Sequence, residues 1–324
     1  MSNEMRISVI GAGTWGTALA RLMCLKSHGV KLWAREPEVV RSIRDRRINE
    51  LFLSDIELPG EILVTGELVE AVDGAEIVLV VVPSQHFRTV VEGLVPHVPP
   101  KAFFVSATKG LEEGTCRRMS EVIGEASPQF KARVVAISGP TFAREVVKEF
   151  PTALVAACED TELAKIVQRE FSTPNFRIYT NNDIVGVELG GAVKNVIAIA
   201  SGVGAGLGLG HNSLAALVTR GLAEISRLSE AMGGRRDTLS GLAGMGDLLL
   251  TCTAELSRNR SVGYELGRGR PLAEILSSMR MIAEGVPTTH AAVTLAEKHN
   301  VEMPITFQMA RLLKDETTPR EAIH

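Results

Sequence analysis

Arg6-Ile-Ser-Val-Ile10-Gly11-Ala-Gly13-Thr14-Trp15-Gly16 is the stretch on which the fold turns. A short β-branched run leads into three glycines, and a helical pattern, Thr17–Leu25, follows. That order of strand, turn and helix is the context in which a G-x-G-x-x-G spacing carries meaning. Gly11 permits the tight turn, Gly13 lets backbone approach a pyrophosphate, and Gly16 brings helix and strand together. The N–H groups of Thr14 and Trp15 are then expected to face the phosphates, with the positive end of the helix dipole behind them. The sequence therefore predicts a dinucleotide-binding unit.

The next apolar run, Val30-Lys-Leu-Trp33, is followed by Ala34-Arg35-Glu36. An NAD-selective site places an acid at the end of this strand, to hold the ribose hydroxyls, whereas an arginine there suits a 2′-phosphate. Arg35 favours NADP(H); Glu36, about twenty residues beyond the last glycine, keeps NAD(H) open.

Further apolar runs recur at Ile77–Val82, Phe103–Ser106, Val134–Ile137, Ala153–Ala156 and Phe176–Tyr179, separated by helix-length segments. Such alternation predicts a parallel sheet covered on both faces. Beyond Asp183 strand-like runs cease, and helical patterns cover Ser213–Met232, Ala273–Met279, Thr288–His299 and Thr306–Leu313. The expected architecture is α/β: a Rossmann-type doubly wound sheet over residues 1–183, then an all-α domain over 184–324 for substrate binding and catalysis. The alternate glycines from Gly202 to Gly210 read as a loop, since glycine is a poor helix former. Three strand ends, Val82-Pro83-Ser84, Ser106-Ala-Thr108-Lys109-Gly110 and Ser138-Gly139-Pro140-Thr141-Phe142-Ala143, are polar or glycine-rich, and ligands of open α/β sheets bind beyond such ends.

The helical half holds one conspicuous cation. Between Glu188 and Arg220 the only charged side chain is Lys194, in Glu188-Leu-Gly-Gly-Ala-Val-Lys194-Asn195. A buried ammonium loses hydration and needs a partner or a lowered pKa, and a lysine close to neutrality can exchange a proton with a substrate hydroxyl. The plain alternative is a lysine that snorkels to the surface. Asp247 sits among glycine and leucine in Gly244-Met-Gly246-Asp247-Leu-Leu-Leu-Thr251, as partner or as helix cap. Ser257-Arg258-Asn259 offers a hydroxyl, a guanidinium and an amide in a row, suited to a phosphate or to an exposed helix start.

Composition narrows the classes. Net charge is −3 without a sustained basic block, which argues against nucleic acid and anionic membranes. Cys24, Cys116, Cys158 and Cys252 are widely spaced, forming neither a disulfide framework nor a metal site, as expected in a reducing cytosol. The first strand pattern begins almost at once, leaving no room for a signal peptide, and no uninterrupted membrane-spanning stretch is expected. These features predict a cytoplasmic protein without membrane insertion.

Six ordered motifs, GAGTWG (11–16), SATKGLE (106–112), ISGPTFA (137–143), ELGGAVKNV (188–196), AGMGDLLLTC (243–252) and SRNR (257–260), resemble those of the bacterial NAD(P)-dependent sn-glycerol-3-phosphate dehydrogenases. The likeness runs from the first strand to about Glu302-Met-Pro-Ile305. It implies interconversion of sn-glycerol 3-phosphate and dihydroxyacetone phosphate by hydride transfer, supplying phospholipid synthesis, in a homodimer. It implies Lys194 as proton acceptor, with Lys109, Gly139, Thr141, Lys194, Asp247, Ser257, Arg258 and Asn259 around the substrate. The cofactor would meet Gly13, Thr14, Trp15, Arg35, Phe52, Lys109, Ala143, Arg258, Ile282 and Glu284, without any metal. Members often carry a second basic residue after the Arg35 position, where this chain has Glu36. Two rivals are a β-hydroxyacid dehydrogenase, in which lysine and asparagine usually lie a helical turn apart, and a non-catalytic NAD(P)H sensor, which would need the glycines but not Lys109, Lys194 and Asp247 together.

Overall fold

The apolar runs form strands because their alternate residues are buried on opposite faces. The structure is a computed structural model that describes residues 4–279 and 281–323. Its strands are β1 (Arg6–Ile10), β2 (Gly29–Trp33), β3 (Ile48–Asn49), β4 (Leu53–Glu57), β5 (Leu63–Thr65), β6 (Ile77–Val80), β7 (Phe103–Ser106), β8 (Val134–Ser138), β9 (Thr152–Ala157) and β10 (Phe176–Asn181). Val9, Ile77, Leu79 and Val105 enter one core cluster, while Ile10, Val78, Val80 and Phe104 enter another. That period of two, apolar on both sides, is what a sheet covered by helices requires.

Eight strands form one sheet in the order β10-β9-β8-β7-β6-β1-β2-β5, and β3 pairs antiparallel with β4. β1 runs parallel to both β2 and β6, and the β2–β5, β6–β7, β7–β8 and β9–β10 pairs are also parallel. The chain moves outward from β1 to β5, then returns to β6 on the other side of β1. Where the strand order reverses, neighbouring crossovers diverge and leave a crevice beyond the strand ends. The glycine turn of residues 11–16 stands at that place.

The chain divides into two compact units. One comprises residues 1–108, 119–137 and 141–182; the other comprises 109–118, 138–140 and 183–324. The loops after β7 and β8 therefore contribute Lys109 and Gly139 to the helical unit.

At the centre of that unit is the Ile184–Gly206 helix, buried without a break from Gly186 to Val203. A helix apolar on all sides is a core helix. It reaches membrane-spanning length and hydropathy only with Glu188 and Lys194 interrupting it, and 94% of its apolar window is buried inside the protein. The expected loop at Gly202–Gly210 is also corrected: the helix runs on through Gly202 and Gly204 to Gly206. Packing overrides propensity here. A Cβ on Gly202 would lie 2.0 Å from Arg260 O, and one on Gly206 2.3 Å from Tyr264 O. From the opposite side, a Cβ on Gly263 would lie 1.9 Å from Ile199 O. The Arg258–Gly267 helix thus meets the central helix backbone to backbone, which only glycine permits. This contact sets Arg258 and Asn259 close to the turn that bears Lys194.

Candidate active site

The glycine turn shows why each glycine is there. Gly11 has φ +116°, and its Cβ would sit 2.8 Å from Val81 O, so the turn itself demands glycine. A Cβ on Gly16 would fall 1.8 Å from Gly11 O, so Gly16 sets the contact of helix with strand. Gly13 is different, since a Cβ there would meet no atom within 4 Å. Its bareness serves whatever approaches from outside, as a pyrophosphate would. The first turn of the Thr14–Leu25 helix carries no acidic side chain, so its positive end remains favourable to an anion. The residues present therefore fit a dinucleotide.

Other expected cofactor residues surround this turn or lie in its unit. Thr14 Oγ1 donates to Phe52 O at 3.1 Å. Trp15 is half-buried, packs with Ala143 around Ala18 and Leu53, and has its ring centroid 6.4 Å from that of Phe176. At the end of β2, Arg35 donates through Nε (3.2 Å) and Nη2 (2.9 Å) to Glu36 Oε1. Thr141 is half-buried in the loop after β8, two residues before the short Ala143–Val147 helix.

In the helical unit, Lys194, Asp247 and Lys109 form one cluster. Lys194 is 5% exposed and Asp247 1%. Lys194 Nζ donates to Asp247 Oδ1 and, at 2.9 Å, to Thr251 Oγ1. Lys109 Nζ donates to Asp247 Oδ2 and to Gly139 O, each at 2.8 Å. Asp247 is thus a shared counter-ion rather than a helix cap. The glycine pair before Lys194 makes room: a Cβ on Gly190 would sit 2.6 Å from Ala243 O, and one on Gly191 2.6 Å from Ser138 Oγ. A buried ion pair, Arg118 to Glu188 at 2.6 Å, ties the loop bearing Lys109 to the central helix.

Two opposing effects act on Lys194. Burial lowers its pKa, Asp247 raises it, and the positive charge of Lys109 lowers it again; the result is about 8 against an ordinary 10.5. Burial would raise Asp247, but Lys109 and Lys194 together hold it below the ordinary carboxylate value. Near neutral pH the cluster has two ammonium groups against one carboxylate, so it accepts a developing oxyanion and can move a proton. Beside it, burial pushes the Cys252 thiol up to about 12, so it remains protonated.

The Ser257-Arg258-Asn259 run is a helix start, as expected, but not an exposed one throughout. Ser257 caps the helix by accepting from Arg260 N and is buried, as is Asn259. Asn259 Nδ2 donates to Asn195 Oδ1 at 2.9 Å, while Asn259 Oδ1 accepts from Gly285 N at 2.9 Å. Asn259 thus joins three helices. Arg258 itself remains exposed, although the protein around it strips enough hydration to lower its pKa, against the favourable charge of Glu284. Ile282 is exposed, and Glu284 precedes the Gly285–His299 helix. Two members of the cluster escaped assignment from sequence. Thr251 follows Asp247 by four residues on a helix, which puts both on one face; Asn195 was visible only as the neighbour of Lys194.

Residues 6–164 match the sequence profile of the NAD-dependent glycerol-3-phosphate dehydrogenase N-terminus, and residues 183–324 match that of the C-terminus. A glycerol-3-phosphate dehydrogenase [NAD(P)+] of Koribacter versatilis is 60% identical over 98% of this chain and 95% of its own. One from Citrifermentans bemidjiense is 54% identical, with the same coverage of each chain. The crystal structure of glycerol-3-phosphate dehydrogenase from Coxiella burnetii superposes with a TM-score of 0.93 at 38% identity, covering 99% of this chain and 98% of that one. A Rossmann-like unit with its glycine turn, a helical unit with a lysine–aspartate–lysine cluster, and profile matches to both halves lead to one conclusion: the chain belongs to the NAD-dependent glycerol-3-phosphate dehydrogenase family.

Proposed function

We propose that Lys194 exchanges the proton of the substrate's C2 oxygen in the reaction sn-glycerol 3-phosphate + NAD(P)+ ⇌ dihydroxyacetone phosphate + NAD(P)H + H+. The observation that carries this reading is the buried Lys194 ammonium, clamped by Asp247 and Thr251 and lowered to about 8. The nicotinamide, when bound, supplies or accepts the hydride. The chain's own task is to orient the substrate, exclude water and handle one proton. Lys109 polarises the C2 oxygen, and Asp247 holds both lysines in place. Arg258 grips the phosphate together with the capped helix start at Ser257, and Asn259 aligns that start on Asn195. Gly139 and Thr141 complete the substrate's surroundings.

For the cofactor, Gly13, Thr14 and Trp15 receive the pyrophosphate, and Arg35 receives a 2′-phosphate. Glu36 occupies the Arg35 guanidinium, so a 2′-phosphate must compete with it, whereas a 2′-hydroxyl can bond to Glu36 directly. Arg35 at the end of β2 is what carries the reading that NADP(H) is favoured, and Glu36 is why NAD(H) is accepted as well. Phe52, Ala143, Ile282 and Glu284 are assigned to the remaining cofactor contacts. The working form is read as a cytoplasmic homodimer supplying glycerol 3-phosphate for phospholipids; light scattering during size exclusion would test the dimer.

The decisive experiment follows NADPH absorbance on adding dihydroxyacetone phosphate to purified protein, with NADH and a three-carbon hydroxyacid pair alongside. Oxidation with the triose phosphate alone is expected, faster with NADPH. In Lys194→Ala turnover should vanish while NADPH binding persists. Retained turnover would refute the proton role. Tight NADPH binding by the wild type without oxidation would favour a sensor.

A further inference from the structure

We infer that Asn49 is a positioning residue for the dinucleotide: its side chain orients the Ala12–Gly13 peptide of the glycine turn and ties that turn to Phe52. The inference rests on the dinucleotide reading of residues 11–16. Asn49 belongs to β3, outside the eight-stranded sheet, and is wholly buried. Its Nδ2 donates to Ala12 O and to Thr17 Oγ1, both at 2.8 Å. The Thr17 hydroxyl in turn donates to Ala12 O at 3.1 Å. On the other side, Asn49 Oδ1 accepts from Phe52 N at 3.2 Å, and Thr14 Oγ1 donates to Phe52 O at 3.1 Å. Both amide hydrogens, the amide oxygen and the threonine hydroxyl are all used. The orientation of the amide is determined chemically, since Ala12 O can only accept and Phe52 N can only donate.

The arrangement has a directional consequence. In a trans peptide the C=O and the following N–H point in opposite directions. Two donors holding Ala12 O inward therefore aim the Gly13 N–H the opposite way, and Gly13 itself is bare, with no atom within 4 Å of where a Cβ would lie. If Asn49 were lost, Ala12 O would keep only the Thr17 hydroxyl, and the peptide could rotate its negative end toward the approaching phosphates. The contact serves the pyrophosphate, which NADPH and NADH share, so it should act on both cofactors alike. Residues that read the 2′ position would act on one more than the other.

The test measures equilibrium binding of NADPH and of NADH to the full-length protein by fluorescence, for wild type, Asn49→Ala and Thr17→Val. Both dissociation constants should rise at least about tenfold in Asn49→Ala, with their ratio unchanged. The KM for triose phosphate at saturating NADPH should stay within about twofold of wild type. Thr17→Val keeps the volume but removes the hydroxyl from Ala12 O, and should weaken both cofactors to a smaller degree; it carries the test if Asn49→Ala does not fold. Dissociation constants unchanged in a folded variant, or a triose phosphate KM that rises in step with them, would overturn the inference, the second result marking a general structural role. A wild type that binds neither dinucleotide would instead refute the cofactor reading itself.

Discussion

Replacing Gly263 by alanine should damage an enzyme that ordinary helix energetics says it should improve. In a helix interior, alanine is favoured over glycine by about 1 kcal/mol. The seam with the central helix reverses that sign. The new Cβ would sit 1.9 Å from Ile199 O, whereas real Cβ atoms essentially never come within 3.0 Å, so the two backbones must part by about 1.1 Å. No flexible side chain is available to yield. The bond from Asn259 to Asn195, now 2.9 Å, would stretch to about 4 Å and cease to be one. Overpacking costs about 1–3 kcal/mol and the broken buried bond about as much again, giving a net destabilisation of about 1–5 kcal/mol after the alanine gain. Arg258 would move with its helix, and a shift of about 1 Å at a positioning group lowers kcat/KM roughly a hundredfold. Urea unfolding and steady-state kinetics with dihydroxyacetone phosphate measure both effects. Gly204→Ala is the matched control, since its Cβ would meet only Leu209 Cδ1 at 3.6 Å; it should keep wild-type kinetics and gain up to about 1 kcal/mol. A Gly263→Ala enzyme as stable and as active as wild type would refute the tight seam.

The pH dependence follows from Lys194, whose pKa is lowered to about 8. Reduction of the triose phosphate needs its protonated form, so that rate should be full below the apparent pKa and fall as pH rises through about 8, while glycerol 3-phosphate oxidation should rise over the same range; profiles flat from pH 7 to 9 would contradict the assignment. Arg258→Ala should chiefly raise the KM for triose phosphate, and an unchanged KM would move the phosphate grip elsewhere. Glu188→Ala removes the 2.6 Å bond to Arg118 and should lower stability in urea unfolding by about 1–3 kcal/mol. The double variant with Arg118→Ala should then cost less than the sum of the two single changes; strict additivity would deny the pair any coupling.

Legibility in the sequence followed the strength of local patterning. The β1 and β6 runs were readable because strands buried on both faces are apolar throughout, as Ile7–Ile10 and Ile77–Val80 are. β5 was not, because it has three residues, one of them Leu63 at 62% exposure on the sheet's edge. The end of the central helix was missed because Gly202, Gly204 and Gly206 are poor helix formers, and the contact that holds two of them is with Arg260 and Tyr264, 58 positions further on. Lys194 and Asp247 were legible as lone charges in apolar surroundings. That Lys109 reaches the same carboxylate was not, since the loop after β7 gives no local sign that it packs with the helical unit. Asn49 gave no signal either, because its partners are backbone atoms and a threonine far earlier in the chain.

The scattered membership of the helical unit also bears on how such a protein can be inherited. A gene cut at codon 183 would appear to separate two modules, yet the downstream fragment would lack residues 109–118 and 138–140. It would carry Lys194 and Asp247 without Lys109, and Glu188 without Arg118. The upstream fragment would carry Lys109 without Asp247 and Arg118 without Glu188. Fusing either half to a foreign partner therefore breaks two buried charge pairs at once. Shuffling the dinucleotide unit against new helical partners succeeds only when both loops travel with the helices, so the two halves are bound to descend together.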